Sequence, residues 1–229
     1  MELVSNALSY AGTALLVVLL YLLVRGPLSR YFPLFLYTLT YLMTSLAEAW
    51  AFRQGGFESA LYFDVYWGGE LLLDVLLFFV VITLTSRALE GSPLRKSVLR
   101  FLALVLVIVL IIPFVAISPP VFGTRWNNRV TELFNFGAAV MTLGLWTALL
   151  AGQRRDRQLL TVSAGMGVLL ASAAFTMALR HSASSGTALR AVFDWMHRLF
   201  FIGGIVIWCR AFWPAGKPKP TAAPTVSAG

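Results

Sequence analysis

Apolar residues along this chain fall in long uninterrupted blocks, and most polar residues fall between them. Residues 7–24, 101–118 and 159–179 contain no Asp, Glu, Lys or Arg. As a helix, an uncharged apolar run of about 18 residues or more is long enough to cross a bilayer. Block by block, the pattern predicts seven such helices, over residues 5–24, 31–52, 60–86, 97–118, 128–151, 158–179 and 189–213. Pro33 falls in the first turn of the second helix, where a missing N–H costs little. Pro113 lies inside the fourth, which stops at Pro119-Pro120, and Pro214 ends the seventh. The predicted fold class is all-α: a multi-pass seven-transmembrane-helix bundle over residues 1–213, followed by a disordered cytoplasmic tail over 214–229.

The junctions between blocks set an orientation. Loops 1, 3 and 5 and the tail carry 12 of the 18 Lys and Arg residues, among them Arg25, Arg30, Arg87, Arg95, Arg154 and Lys217. The N-terminus and loops 2, 4 and 6 carry 5, and Arg198 lies within the seventh helix. Basic loops stay in the cytoplasm, so the N-terminus is placed outside and the C-terminus inside. Trp50, Tyr62, Tyr66, Trp67, Trp126, Trp195, Trp208 and Trp213 fall near the predicted borders, as an interfacial belt of aromatics does. Residues 1–6 hold Glu2 and no basic residue, so the first block reads as a retained helix rather than a signal peptide. In the sixth helix, Ala164, Gly165, Gly167, Ala171, Ser172, Ala173 and Ala174 are small enough for close helix approach. That places it in the interior, near Gly137–Ala139 of the fifth helix and Gly203-Gly204 of the seventh, although the same face would also suit a homo-oligomer contact. The third and seventh helices both open with a Phe-Asp pair, Phe63-Asp64 and Phe193-Asp194, a short match that a three-plus-one-plus-three duplication would leave.

Composition sharpens this reading. Mean hydropathy is +0.79, and 12% of residues are charged against about 25% in a soluble domain. A net charge of +8 would point a soluble protein toward nucleic acid, but basic loops account for it here, so no nucleic-acid partner is expected. Cys209 is the single cysteine, which excludes an intrachain disulfide and a cysteine metal cluster. The expected surroundings are the lipid bilayer of a bacterial inner (plasma) membrane.

Ionisable residues inside a spanning helix cost about 2.5–3.5 kcal/mol each on insertion scales, so each needs a partner or a purpose. The third helix carries Trp67, Glu70 and Asp74 on one face, and the seventh carries Asp194, His197 and Arg198 on one face. Asp74 and Arg198 are each 12 residues from their cytoplasmic borders at Ser86 and Arg210, which puts both about 18 Å deep. Glu70 and Asp194 share a level about 24 Å from the same border. Matching depths predict an Asp74–Arg198 ion pair, with Glu70 and His197 outward of it and His197 hydrogen-bonded to Glu70 or Asp194. Glu48, Arg129, Glu132 and Asn135 would rim a polar cavity open to the outside, joined there by Arg180 and His181. Against a ligand or proton-relay site stands the plainer reading of a buried salt bridge that fixes helix register.

Several chemistries find no support. No lysine falls in any predicted span, so a retinal Schiff base is excluded. His181 and His197 fall at different depths and do not suit a bis-histidine haem. Zinc-hydrolase and Gly-x-Ser-x-Gly patterns are absent, and no cofactor or metal is predicted.

In helix count and orientation, residues 5–213 resemble the seven-helix membrane regions of bacterial sensory proteins, such as the N-terminal part of some histidine kinases. They also resemble uncharacterised bacterial seven-helix membrane proteins without attached domains. The local feature is Tyr66-Trp67-x-x-Glu70. The resemblance implies a ligand-binding or sensory module that signals to a separate cytoplasmic partner. It assigns no residue roles, and the chain departs from the kinases in having no output domain. Two other readings use the same carboxylates: a small-solute carrier, proton-coupled through them, and an intramembrane lipid-modifying enzyme with Glu70 or Asp74 as general base.

Overall fold

The computed structural model describes residues 2–116, 124–151, 156–182 and 187–213, although some side chains within these helices are not described. The predicted tail over 214–229 lies outside them. The described residues form seven α-helices and one 3-10 turn, with no strand among them. The helices are α1 (Glu2–Arg25), α2 (Phe32–Gly55), α3 (Ala60–Ala88), α4 (Arg95–Ala116), α5 (Thr124–Ala151), α6 (Arg157–Ser182) and α7 (Thr187–Phe212). The apolar blocks therefore locate every helix. The largest shift is at α5, which begins four residues before position 128. Its first turn, Thr124 to Asn127, is polar, and backbone hydrogen bonding runs past the apolar stretch that reveals a helix in sequence.

Turn chemistry fits these ends. Gly56 closes α2 with φ +72°, a conformation that favours glycine. Ser59 then caps α3, its Oγ accepting from the Tyr62 N–H at 3.1 Å. Asp156 caps α6, its Oδ1 accepting from the N–H groups of Gln158 at 2.9 Å and Leu159 at 3.2 Å.

Each helix packs on its sequence neighbour, and α7 packs back on α1, so the bundle closes into a ring. α3 and α5 also meet directly, which pushes α4 to the outside of their groove, and α3 touches α6 across the middle. α6 is a member of this ring rather than its centre. Its small residues act instead against its two neighbours, Gly167 facing Trp146 of α5 and Gly165 facing α7. A Cβ added at Gly165 would lie 2.6 Å from the Trp208 ring and 3.1 Å from the Gly204 carbonyl oxygen. The Trp208 indole then donates to the Val162 carbonyl at 2.8 Å, satisfying its one polar atom.

Most of the fully buried large side chains sit toward the end that carries Tyr31: Leu19 and Leu23, Leu34, Leu84, Leu145 and Trp208. At that end Tyr31 meets Phe212 edge-on at 4.9 Å, the Arg87 guanidinium lies 4.7 Å over the Tyr31 ring, and Arg30 pairs with Asp156 at 3.1 Å. This half is plugged by apolar packing and bridged at its rim. Glu48 and Glu70 belong to the opposite half.

Apolar side chains also cover the outside. On α4, Phe101, Leu104, Ile108, Ile111 and Val115 are exposed along one stripe, and α1 exposes Val17, Tyr21 and Val24. Two helices, Leu8–Arg25 and Ala60–Ala88, are long and apolar enough to cross a membrane.

Candidate functional site

On α2, Tyr37, Tyr41, Thr44 and Glu48 recur at helical spacing and fall on one face. On α3, Tyr66, Glu70 and Asp74 do the same. The two faces meet. Gly69 lets them approach: a Cβ there would lie 3.0 Å from Thr44 Cγ2 and 3.8 Å from Glu48 Oε1. Glu48 and Glu70 lie in electrostatic range of each other, as do Glu70 and Asp74. The Tyr37 phenol feels Asp74 and Glu70, and the Tyr41 phenol feels Glu70, Glu48 and Tyr66. The result is a ladder of carboxyl and phenol groups along the α2–α3 seam.

α7 supplies the opposite wall. Tyr41 stacks on Phe201, with centroids 4.7 Å apart and planes 24° apart, and Tyr37 meets Trp208 edge-on at 6.1 Å. His197 lies one turn from Phe201 on the same face, toward the Glu48 end. Its Nδ1 is 3.4 Å from Ser172 Oγ of α6. Tyr37, Tyr41, Glu70, Asp74 and His197 are each half-buried. Asp74 lies on the same α3 face as Glu70, one turn toward the Tyr31 end.

The expected Asp74–Arg198 ion pair is not formed among the described residues, where the ion pair is Arg30–Asp156. α3 and α7 are not neighbours in the ring, and Arg198 points to the exposed side. Equal depth fixes height along a helix but not direction around it. Arg198 and Glu70 both have other interactions. Glu48, expected at the cavity rim, is half-buried against Gly69 and in electrostatic range of Glu70. Trp67 is half-buried between the rings of Phe63 and Tyr66 and packs along its own helix. The side chains of Asp194, Arg129, Glu132 and Asn135 lie outside the described residues.

Tyr37, Tyr41 and Phe201 did not stand out in the sequence. The available signal was the Tyr-x-x-x-Tyr-x-x-Thr-x-x-x-Glu run on α2, a polar stripe on an otherwise apolar helix. Comparison with known proteins finds no matching family model, no matching curated protein and no matching solved structure.

Proposed function

We propose that this chain is a seven-helix protein of the bacterial inner membrane that binds a small molecule within its ring and acts as a ligand-binding or sensory module. Four observations support the membrane setting: apolar residues on the outside of α1 and α4, two helices of spanning length, long uncharged blocks, and basic residues concentrated in alternate loops. In this setting the Tyr31 end, with Arg30, Arg87 and Arg95, faces the cytoplasm, and the Glu48 end faces out.

One observation carries the ligand reading: the phenols and carboxyls of Tyr37, Tyr41, Glu48, Tyr66, Glu70 and Asp74 converge on one seam, walled by Phe201. Acidic groups inside a membrane are expensive and persist where a function needs them. Asp74 itself is not held in an ion pair with Arg198 among the described residues. The apolar plug at the cytoplasmic half makes the outer half the route of access. A ligand that draws Tyr41 and Phe201 together would couple α2 to α7, and so to the Tyr31–Phe212 contact at the cytoplasmic end.

The test is a thermal-unfolding screen of the purified protein in micelles against small polar and charged molecules. A binder should raise the midpoint of the wild type and act far less on Tyr41→Ala. If every stabilising compound acts equally on both proteins, the seam is not the site.

A further inference from the structure

At the end opposite the seam, two buried donors lack an acceptor. Tyr31, the residue before α2, is 1% exposed. Its hydroxyl oxygen and Arg87 Nη1 are buried atoms that make no hydrogen bond to any described residue. Buried donors in that condition are expensive, the charged one most of all. They do not satisfy each other. The Arg87 guanidinium lies over the Tyr31 ring, 4.7 Å from its centroid, while the hydroxyl lies in the plane of that ring. Arginine also has no acceptor atom, so the Tyr31 O–H finds none in Arg87 whatever its rotation. Asp156 is in electrostatic range of both groups, but its oxygens are committed elsewhere: Oδ1 caps α6 and Oδ2 meets Arg30. The local charge is positive. Around Tyr31 stand two guanidinium groups, Arg30 and Arg87, and one carboxylate, Asp156. A third guanidinium, that of Arg95, donates to Ser86 Oγ at 2.8 Å, beside Arg87 in the chain. Arg30 and Asp156 keep part of their surface in solvent, so the cluster is approached from outside the bundle.

We propose that this cluster binds a phosphate group, one oxygen accepting from Arg87 Nη1 and another from the Tyr31 O–H, with Arg30 adding positive charge. The shape follows from the donors. One group lies above the ring and the other in its plane, so their acceptors must point in divergent directions. A tetrahedral anion presents oxygens that way, whereas a carboxylate holds both of its oxygens in one plane. Guanidinium is also the side-chain group whose planar fork suits phosphate. In the orientation proposed above, this end lies at the cytoplasmic surface. The phosphate there comes either from the headgroup of an anionic lipid or from a soluble ion. Tyr31 also meets Phe212 edge-on, so a bound phosphate ties the start of α2 and the ends of α3 and α7 together. This assignment uses no residue of the seam and stands or falls apart from the ligand reading.

The experiment uses the full chain in phosphate-free, non-ionic micelles at matched ionic strength. One arm adds inorganic phosphate, with acetate and chloride as controls. The other adds phosphatidylglycerol, with phosphatidylcholine as control. Inorganic phosphate or phosphatidylglycerol should raise the unfolding midpoint saturably, by about 5 °C at a hundredfold excess over half-saturation, and the controls should not. Tyr31→Phe removes one oxygen and keeps the ring packing. It should raise the half-saturating concentration about tenfold (~10-fold per 1.4 kcal/mol), and without phosphate it should be no less stable than wild type. Arg87→Gln should weaken binding as well. Arg25→Gln loses the same charge at the same end of the bundle, where Arg25 lies over Tyr21, and should bind as wild type does. A response to inorganic phosphate identifies a soluble ion, and a response to phosphatidylglycerol alone identifies a lipid headgroup; both support the site. Equal stabilisation by acetate or chloride, no response in either arm, or an unchanged half-saturation in Tyr31→Phe overturns it and leaves water as the partner of the two donors.

Discussion

Tyr41 of α2 and Phe201 of α7 stack with ring centroids 4.7 Å apart, although their two helices do not pack backbone to backbone. α1 lies between the helices on the outside of the ring, touching both, so the rings meet across its interior. Each ring alone fills space, but together they brace the ring across its open half. A double-mutant cycle with Tyr41→Ala and Phe201→Ala should therefore give a coupling of about 0.5–1.5 kcal/mol in micelle unfolding, the range of aromatic pairs. Strict additivity would mean that the stack contributes nothing beyond separate burial.

The Gly165 contact makes a sharper stability test, because the neighbour that would have to move is anchored. A Cβ at Gly165 falls 2.6 Å from the Trp208 ring, and that ring is held by its hydrogen bond to Val162. Gly165→Ala should destabilise by about 1–3 kcal/mol despite alanine's better helix propensity. Gly144 on α5 is the control: nothing lies within 4 Å of its added Cβ, so Gly144→Ala should be neutral or stabilise by up to about 1 kcal/mol. Unfolding midpoints of the two variants, read against wild type, decide it; equal shifts refute the packing argument.

These residues also show what the sequence made legible. Helix positions were readable because uncharged apolar runs and proline or glycine punctuation are local signals, and Gly165 against Gly204 followed from small residues alone. Glu70 and Asp74 stood out because charge is rare in such blocks. Tyr37 and Tyr41 did not, because a tyrosine in an apolar helix reads equally well as a border residue. The supposed partner of Asp74 was misread for a different reason. Counting residues from a border gives depth, but the direction a side chain faces depends on which helices are neighbours, and the closure of α7 onto α1 is a long-range fact.

Asp156 has two tasks that can be separated. Its Oδ1 caps α6 through Gln158 and Leu159, and its Oδ2 meets Arg30 at 3.1 Å, with side-chain exposures of 49% for Arg30 and 32% for Asp156. Ion pairs this open contribute about 0–1 kcal/mol, whereas a lost N-cap costs about 0.5–2 kcal/mol. Asp156→Ala should therefore destabilise more than Arg30→Ala, and Asp156→Ser, which keeps a capping oxygen without the charge, should recover most of the difference. If serine is as poor as alanine, the ion pair rather than the cap is the larger contribution.

Asp74 gives the expectation that separates a functional carboxylate from a structural one. A carboxylate that belongs to a supporting network destabilises the fold when replaced, because its partners are left unsatisfied. Asp74 has no such partner among the described residues, and it lies in electrostatic range of the like charge of Glu70. Asparagine keeps the shape, removes the ion and ends that repulsion, so Asp74→Asn should raise the ligand-free unfolding midpoint by about 2–6 °C, or roughly 1–2 kcal/mol. Melting curves of both proteins provide the check. A variant that is less stable than the wild type would identify Asp74 as part of the scaffold.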